Sequence, residues 1–477
     1  MQHVPLSLAA LVALFSSSML SVPGTTDAAE EVRVTLEDQK AVAVTIYNED
    51  LALIRDRRRV MLQRGENRVA FVDVSAQMTP ETALLHGERA DLAIVEQNFD
   101  FDLLTPQKLL EKSIGEKVRL VRTNPESGED TFEDATVLSV AEGVVLQVGD
   151  RIETATPGRI VFNQVPANLR SRPTLVLQLD SGAAGDQAVE LSYLTGGLGW
   201  KADYVAELAT DEKTLDLAGW VTLTNTSGST YRDAKLRLVA GNVNVVRPKL
   251  MQRDAMPMMA MESAGAASRM REQALFEYHL YDLERPTTVA ENQTKQVALL
   301  SGSRIPVSKE YRFTNISSAY DERIGELPRT NASVRLSFDN EEEDQLGVPL
   351  PKGTVRVYKA DSQGQMLFVG EDAIEHTPKN EKVELTLGQA FDVTARSKQT
   401  DYQHIGDNVI EVAFEVEIRN AKKEPISVAV LEQLPAQWKV LEESHPHEKP
   451  QAFQARWTVP VLAENKTILS YRVRITY

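Results

Sequence analysis

The residues whose type and spacing most directly suggest chemistry are methionines in one short segment. Residues 251–274, here called the Met-rich segment, hold six of the chain's eleven methionines, and four of them are closely spaced: Met256, Met258, Met259 and Met261. Thioethers are soft ligands that favour Cu(I). Methionine is also a flexible side chain that adapts to irregular surfaces. Because the segment has little β propensity, we predict a long loop and no cofactor, with Cu(I) binding as an alternative.

A glycine-rich stretch raises a second chemical question, because residues 195–201 read TGGLGWK. A loop that cradles phosphate follows a strand, begins a helix and often continues as Gly-Lys-Ser/Thr. The residues after Lys201 open no capped helix and include the β-favouring Tyr204 and Val205. We therefore predict a turn or bulge with positive φ that directs Trp200 into the core or across a sheet junction. Trp200 and Lys201 are kept as candidates for the rim of a ligand site.

Familiar hydrolase motifs are missing from the sequence, which has neither a Gly-x-Ser-x-Gly elbow nor a His-Glu-x-x-His pair. His445 and His447 lie among glutamates in a polar stretch that we expect to face solvent rather than bind metal. A glycan hydrolase with two carboxylates from distant strands is an alternative, because a sequence does not pair carboxylates in space. We assign no catalytic residue.

One dense basic run occupies residues 55–59, Arg-Asp-Arg-Arg-Arg. Charge on the solvated face or edge of a strand deters aggregation of sheets, and we predict that role here. Contact with a polyanionic glycan or lipopolysaccharide is the alternative.

Composition indicates an exported protein. The 477 residues include no cysteine, and 69 acidic against 52 basic residues give a formal net charge of -17. This charge argues against a nucleic-acid binder, whose surface is basic. Residues 1–28 carry an apolar stretch followed by small and polar residues, which is typical of a signal peptide. We expect a periplasmic or extracellular protein with no transmembrane segment in the mature chain, stabilised by core burial without disulfides.

Alternation of apolar and polar residues dominates the chain and predicts an all-β fold. Residues 410–418, for example, place five apolar side chains on one face and glutamates on the other. We predict several antiparallel modules, namely sandwiches and a small SH3-like barrel, with few short helices. The best helix signal begins at Thr105 and Pro106, and Gly115 can end it.

The chain divides where strand spacing and composition change. The predicted parts are a signal peptide (1–28), an N-terminal β domain (30–113), a small barrel-like insert (114–165), a central β region that contains the Met-rich segment (170–400) and a C-terminal sandwich-like module (401–477).

Several stretches resemble a known family: YLTGGLGWKADYVAEL at 193–208, FEYHLYDLERPTTVAENQTKQVALL at 276–300 and RSKQTDY at 396–402. They are similar to the bacterial DUF4139 family, a domain of unknown function also found in mucoidy-inhibitor-like proteins, over about 185–477. The resemblance implies an exported, β-rich protein linked to the cell envelope. It supplies no catalytic residue that could be assigned to this chain.

The function predicted from the sequence is that of an exported, non-enzymatic binding or scaffold protein. Its expected partner is an envelope protein or a polysaccharide, and its oligomeric state is left open. The alternatives are the glycan-directed hydrolase and the Cu(I)-binding protein described above.

Overall fold

The computed structural model describes residues 31–477 except 49, 89–91, 101–102, 142, 155–157, 167–168, 242, 245–269, 318–319 and 436. The predicted signal peptide and the four methionines Met256, Met258, Met259 and Met261 lie outside the described residues. The end of the Met-rich segment differs from the predicted loop, because Met270–Leu275 forms a strand that pairs with its neighbour Tyr278–Leu283.

The described residues form 31 β-strands and one α-helix, which confirms the all-β prediction. The first sixteen strands are β1 (Val32–Val34), β2 (Gln39–Tyr47), β3 (Leu51–Leu62), β4 (Gly65–Val72), β5 (Leu84–Gly87), β6 (Leu92–Asp100), β7 (Lys117–Thr123), β8 (Asp130–Ser139), β9 (Val145–Val148), β10 (Arg151–Glu153), β11 (Arg159–Val161), β12 (Thr174–Ser181), β13 (Gly185–Thr195), β14 (Leu198–Leu208), β15 (Thr214–Asn225) and β16 (Tyr231–Ala240).

The remaining fifteen strands follow the Met-rich segment or begin within it. They are β17 (Met270–Leu275), β18 (Tyr278–Leu283), β19 (Thr287–Val289), β20 (Gln293–Pro306), β21 (Ser308–Thr314), β22 (Thr330–Asp339), β23 (Gly353–Ala360), β24 (Met366–Ile374), β25 (Lys382–Gly406), β26 (Val409–Asn420), β27 (Ile426–Gln433), β28 (Gln437–Glu443), β29 (His447–Gln451), β30 (Gln454–Val461) and β31 (Asn465–Thr476).

The helix α1 (Pro106–Lys112) begins where the sequence predicts it. The Thr105 hydroxyl accepts a hydrogen bond from the Lys108 backbone N–H at 3.1 Å, and proline occupies the first turn, where its missing N–H costs nothing. Gly115 takes a positive φ of 86° three residues after the last helical residue. Two single 3-10 turns, Leu36–Asp38 and Pro80–Thr82, are the other helical elements described.

The strands assemble into five sheets. Their strand orders are β1-β4-β12-β6, β10-β9-β8-β7-β11, β17-β18-β16-β2-β3-β13-β5 with β19 beside β16, β20-β15-β14-β23-β24, and β28-β31-β26-β25-β22-β21-β27-β30-β29. Most neighbours are antiparallel, as predicted. Four pairings are parallel, which the alternation did not indicate: β1 with β4, β2 with β16, β14 with β23, and β21 with β27.

The sheets cross the linear division drawn from the sequence. Strands β2, β3 and β5 of the predicted N-terminal domain share the eight-stranded sheet with β13, β16, β17 and β18 of the predicted central region. One main core consequently spans Val34 to Leu385. Local alternation reports which face of a strand is apolar but not which distant strand covers that face, so such sharing is invisible in the sequence. The five-stranded sheet β7–β11 has a small core of its own around Leu120 and Leu146.

The nine-stranded sheet closes over a second core and begins at Ser308, well before residue 401. Trp457 of β30 and Tyr471 of β31 are far apart in the order of strands, yet their rings stack with centroids 4.5 Å apart. The sheet therefore curls until its two ends face each other, as in a sandwich. The long strand β25 joins the cores, because Leu385 packs in the main core and Val393 in the second.

The glycine-rich stretch is the corner at which the chain passes from the eight-stranded sheet to the five-stranded sheet that contains β14. Thr195 ends β13, Leu198 begins β14, and Gly197 between them has a φ of 76°. A Cβ atom on Gly197 would lie 2.6 Å from the Ser227 Cα. Gly197 thus supplies the predicted positive φ, whereas Gly199 lies inside β14.

Hydrogen bonds tie this corner to three loops distant in sequence. The Gly197 N–H donates to Asp50 Oδ1 at 2.8 Å, and the Gly197 carbonyl accepts from the Thr226 N–H at 2.6 Å. The hydroxyls of Ser75 and Thr195 are 2.6 Å apart, and Ser75 Oγ also donates to the Ser227 carbonyl at 2.9 Å. We call this set of contacts the junction. Buried polar groups need such partners, so the junction fixes the angle between the two sheets.

Replacing Gly197 by alanine tests the junction. We expect Gly197→Ala to lower the free energy of unfolding by at least about 1–3 kcal/mol, because alanine is strained at this φ and its Cβ meets backbone. Gly199→Ala is the matched control, since a Cβ there has no neighbour within 4 Å. Urea unfolding of both variants is the measurement. Equal stability losses would contradict a special role for Gly197.

Candidate functional site

The structure does not bring Trp200 and Lys201 together in one site. Trp200 is 9% exposed and packs in the main core, with its ring centroid 6.5 Å from that of Tyr281. Lys201 projects from the opposite face of β14 and is exposed, with its ammonium group 3.7 Å from Asp203. Adjacent residues of a strand face opposite ways, so Trp200 is a core residue and does not form a rim.

The metal hypotheses receive no support from the part of the chain that the structure describes. No group of three or more histidines and acidic residues that could hold a metal ion occurs there. His447 begins β29 instead of lying in a loop, and its Nδ1 is 2.9 Å from Glu443 Oε2, which also accepts from Trp457 Nε1. The Cu(I) hypothesis rests on methionines outside the described residues and stays a prediction.

The basic run at 55–59 lies on β3, an interior strand of the eight-stranded sheet. Asp56 and Arg58 are buried, which corrects the expectation for these two residues, whereas Arg55 and Arg59 are exposed on the solvated face as predicted. Arg58 donates to Asp56 at 2.7 Å and to the carbonyls of Val34 and Val72. The outward arginines pair with acidic residues on neighbouring segments: Arg55 with Glu190, Arg57 with Glu88, and Arg59 with Asp186. These hydrogen bonds and ion pairs join β3 to neighbouring segments, so the run stabilises the fold.

A groove on the outer face of the nine-stranded sheet gathers basic and hydroxyl side chains. We call it the arginine groove, and its lining residues are Ser308, Lys309, Glu310, Arg312, Arg335, Ser337, Lys382, Glu384, Ser427, Ala429, Arg456 and Thr458. Five of these carry a positive charge and two a negative charge. Lys309 and Lys382 pair with Glu212 and Asp339, which do not line the groove, so three arginines against two glutamates leave an excess of one positive charge. The excess stands out in a chain whose formal net charge is -17.

Strand alternation explains why these side chains share one face, except that of Lys309, which lies over the ring of Tyr311. On β21, Tyr311 and Phe313 point into the second core, so Glu310 and Arg312 point outward. The groove draws its residues from five strands that are consecutive in the sheet: β25, β22, β21, β27 and β30. Neighbouring strands are about 4.8 Å apart, so the groove extends across about 19 Å.

Two carboxylates bridge three arginines into a ladder along the groove. Arg312 donates from Nε to Glu310 at 2.5 Å and from Nη2 to Glu384 at 2.6 Å. Arg335 Nη1 donates to the other oxygen of Glu384 at 2.8 Å, and Arg456 pairs with Glu310. The ladder therefore holds each guanidinium in a fixed orientation, with one positive charge more than its carboxylates neutralise.

The electrostatics of the ladder favour binding over acid catalysis. Burial alone would raise the pKa of the Glu384 carboxyl, but hydrogen bonds and charges from Arg312 and Arg335 outweigh it and hold that pKa below its usual value. An ionised carboxylate cannot donate a proton to a leaving group. Preoriented guanidinium groups instead suit the two oxygens of a carboxylate, sulfate or phosphate group.

A carboxyl group with a raised pKa does exist, but it lies inside the second core. Burial raises the pKa of Glu432 to about 7, against hydrogen bonds that favour the ionised form. Tyr320 Oη donates to Glu432 Oε2 at 2.9 Å, and the Ser317 N–H donates to Oε1 at 3.1 Å. Tyr471 Oη is 3.2 Å from Tyr320 Oη. Glu432 is fully buried, so this shift reports burial and not contact with a substrate.

Sequence reasoning missed the groove because its residues are dispersed. Glu310, Arg312, Glu384 and Arg456 are each a single charge on the polar face of an alternating strand. Glu310 and Arg312 are two residues apart on β21. Glu384 on β25 and Arg456 on β30 reach them only because β22 and β27 pair with β21 on one side and with β25 and β30 on the other. The sequence does place several arginines on the polar faces of strands in an otherwise acidic chain. This pattern does not show which residues pair with one another.

The fold and the groove define a β-rich protein with a charged groove on a curled sheet. Residues 189–477 match the sequence model of DUF4139, described as a domain of unknown function. Because the match covers more than half of the chain, this protein belongs to the DUF4139 family, which confirms the resemblance noted above. The arginine groove lies within the matched residues. A search of curated proteins found no match. Within the described residues, no helix has the length and apolar character needed to cross a membrane.

Glu432 gives a pH dependence that can be measured. The folded chain retains the Glu432 proton up to about pH 7, whereas an unfolded chain loses it near the ordinary value of 4.5. The free energy of unfolding therefore falls as pH rises between these values. Glu432→Gln stays neutral, so we expect its Tm relative to the unmodified chain to be higher at about pH 8 than at about pH 5. Glu448→Gln, on the exposed β29, is the control, and an equal pH trend in both variants would contradict this account.

Proposed function

We propose that this chain is an exported, non-enzymatic binding protein of the cell envelope and that the arginine groove holds its ligand. The observation that carries the proposal is the ladder of three arginines on the outer face of the nine-stranded sheet. Export is supported by the signal-like residues 1–28, and a chain of this size can be stabilised by its cores without disulfides.

The ligand class that fits the groove is an acidic polysaccharide. Carboxylate, sulfate or phosphate substituents match the guanidinium groups, and the hydroxyls of Ser308, Ser337, Ser427 and Thr458 can exchange hydrogen bonds with sugar hydroxyls. A groove that crosses five strands suits an extended chain better than a small compact molecule. The acidic remainder of the protein would repel the same polymer, which directs it to the groove.

The hydrolase alternative finds less support in this groove. Glycosidases combine an ionised carboxylate with a carboxylic acid whose pKa is raised. Glu310 and Glu384 are both paired with Arg312, and the pKa of Glu384 is lowered. Binding without hydrolysis is therefore the function that the geometry supports best.

A charge-matched pair of double variants tests the proposal. We expect Arg335→Gln with Arg456→Gln to weaken binding of a soluble polyuronate about tenfold or more, because a hydrogen bond to a charged group is worth about 1.5–3 kcal/mol. Arg55→Gln with Arg57→Gln removes the same charge from the exposed face of β3 and should leave binding unchanged. Titration calorimetry at two salt concentrations is the measurement, with binding weaker at the higher salt concentration.

Two results would overturn the proposed function. One is equal binding of a neutral glucan, which would remove the role of the arginines. The other is release of new reducing ends from the polyuronate, which would indicate a hydrolase. Export is tested separately by the mass of the protein purified from its native host, which we expect to begin near residue 29.

A further inference from the structure

A second concavity lies at the seam between the two cores, and we call it the seam cavity. Its volume is about 200 Å³. Leu208 and Leu336 in its wall belong to the main core, while Val334 packs against the second core. Leu387 of β25 completes the apolar wall. The cavity is thus an apolar space at the place where the two halves of the protein meet.

One end of the seam cavity carries an uneven set of charges. Lys309 Nζ is 2.6 Å from Glu212 Oε2, and Lys359 Nζ is 2.5 Å from Glu212 Oε1. Two ammonium groups therefore share one carboxylate and leave one positive charge in excess. The lysine side chains are only 22% and 27% exposed, so this charge stands partly desolvated beside the apolar wall.

Val369 of β24 lines the seam cavity and belongs to an exposed apolar strip on that strand. Four consecutive residues are exposed by 40% to 54%: Met366, Leu367, Phe368 and Val369. β24 is the edge strand of its sheet, and Leu367 pairs in register with Lys359. Edge strands of soluble proteins are usually protected by charge, so an apolar strip beside a lysine pair indicates a binding surface.

We propose that the seam cavity binds a single-chain amphiphile with an anionic head group. Its hydrocarbon chain lies against Leu208, Leu336 and Leu387, and its head group contacts the ammonium groups of Lys309 and Lys359. Charge complementarity selects this occupant, because an anion at the lysine end neutralises the excess charge that Glu212 leaves. Lys309 lines both the seam cavity and the arginine groove, whereas Lys359 lines only the seam cavity, so variants of Lys359 test this inference separately from the polysaccharide function.

A series of simple amphiphiles tests the proposal on the intact protein. Titration calorimetry with octanoate and decanoate below their micelle concentrations should give saturable binding of one molecule. Each added methylene should tighten binding about fourfold, as burial of about 0.8 kcal/mol per methylene implies, until the cavity is full. Decanoate should bind more tightly than 1-decanol and far more tightly than decyltrimethylammonium. Decyl phosphate, compared with decanoate, distinguishes a phosphate from a carboxylate head group.

Variants locate the site. Lys359→Gln should weaken decanoate binding about tenfold or more, and Leu367→Asp should weaken it by charge and lost apolar contact. Lys201→Gln removes an exposed lysine elsewhere on the five-stranded sheet and should have no effect. Polyuronate binding should be retained in Lys359→Gln, so the two proposals fail separately.

Three outcomes would overturn the inference. They are absence of saturable decanoate binding, equal binding of decanoate and 1-decanol, and undiminished binding in Lys359→Gln. A dimer that dissociates on Leu367→Asp, in a protein that does not bind decanoate, would instead assign the apolar strip to a second copy of the chain. The amphiphile series on the unmodified protein decides the matter even where a variant does not fold.

Discussion

The junction at Thr195–Gly197 is the constraint on which the rest of the architecture depends. The chain has no cysteine, so burial of strand faces and hydrogen bonding must hold its sheets together. At this corner the Ser75 and Thr195 hydroxyls and the backbone of Gly197 meet loops far away in sequence. Only a residue without a side chain fits against Ser227 there. The corner determines the direction in which β14 leaves the eight-stranded sheet. β14 in turn pairs with β15 and β23 to form one wall of the main core.

The two surfaces proposed to bind ligands follow from how the second core is attached. β21 faces the second core, while β22 and β25 face the second core at one end and the main core at the other, so the outward positions of all three strands are free for charged residues. That arrangement creates the ladder centred on Arg312. β25 also reaches the main core, and the seam it crosses leaves an apolar space with Lys309 and Lys359 at one end. One strand arrangement thus produces a polar surface and an apolar cavity, which share Lys309 and otherwise have different lining residues.

Local features were predictable from the sequence, and long-range ones were not. Alternation and the cap at Thr105 predicted the strands and the helix, and the glycines predicted the bend that Gly197 makes. Trp200 was a candidate for the rim of a ligand site because the sequence does not show how deeply a side chain is buried. The structure places its indole in the core. Arg58 was expected on a solvated face, but a buried carboxylate and two carbonyls satisfy it. The ladder needed strand pairing between residues more than seventy positions apart, which no local pattern encodes.

The central claim is that an acidic polysaccharide lies on the arginine groove. Arginine-selective labelling with phenylglyoxal, followed by peptide mass analysis, tests it most directly in the presence and absence of a saturating polyuronate. We expect the ligand to slow labelling of Arg335 and Arg456 several-fold and to leave Arg55, on the exposed face of β3, equally reactive. Unchanged labelling of Arg335 and Arg456, or equal protection of Arg55, would contradict it.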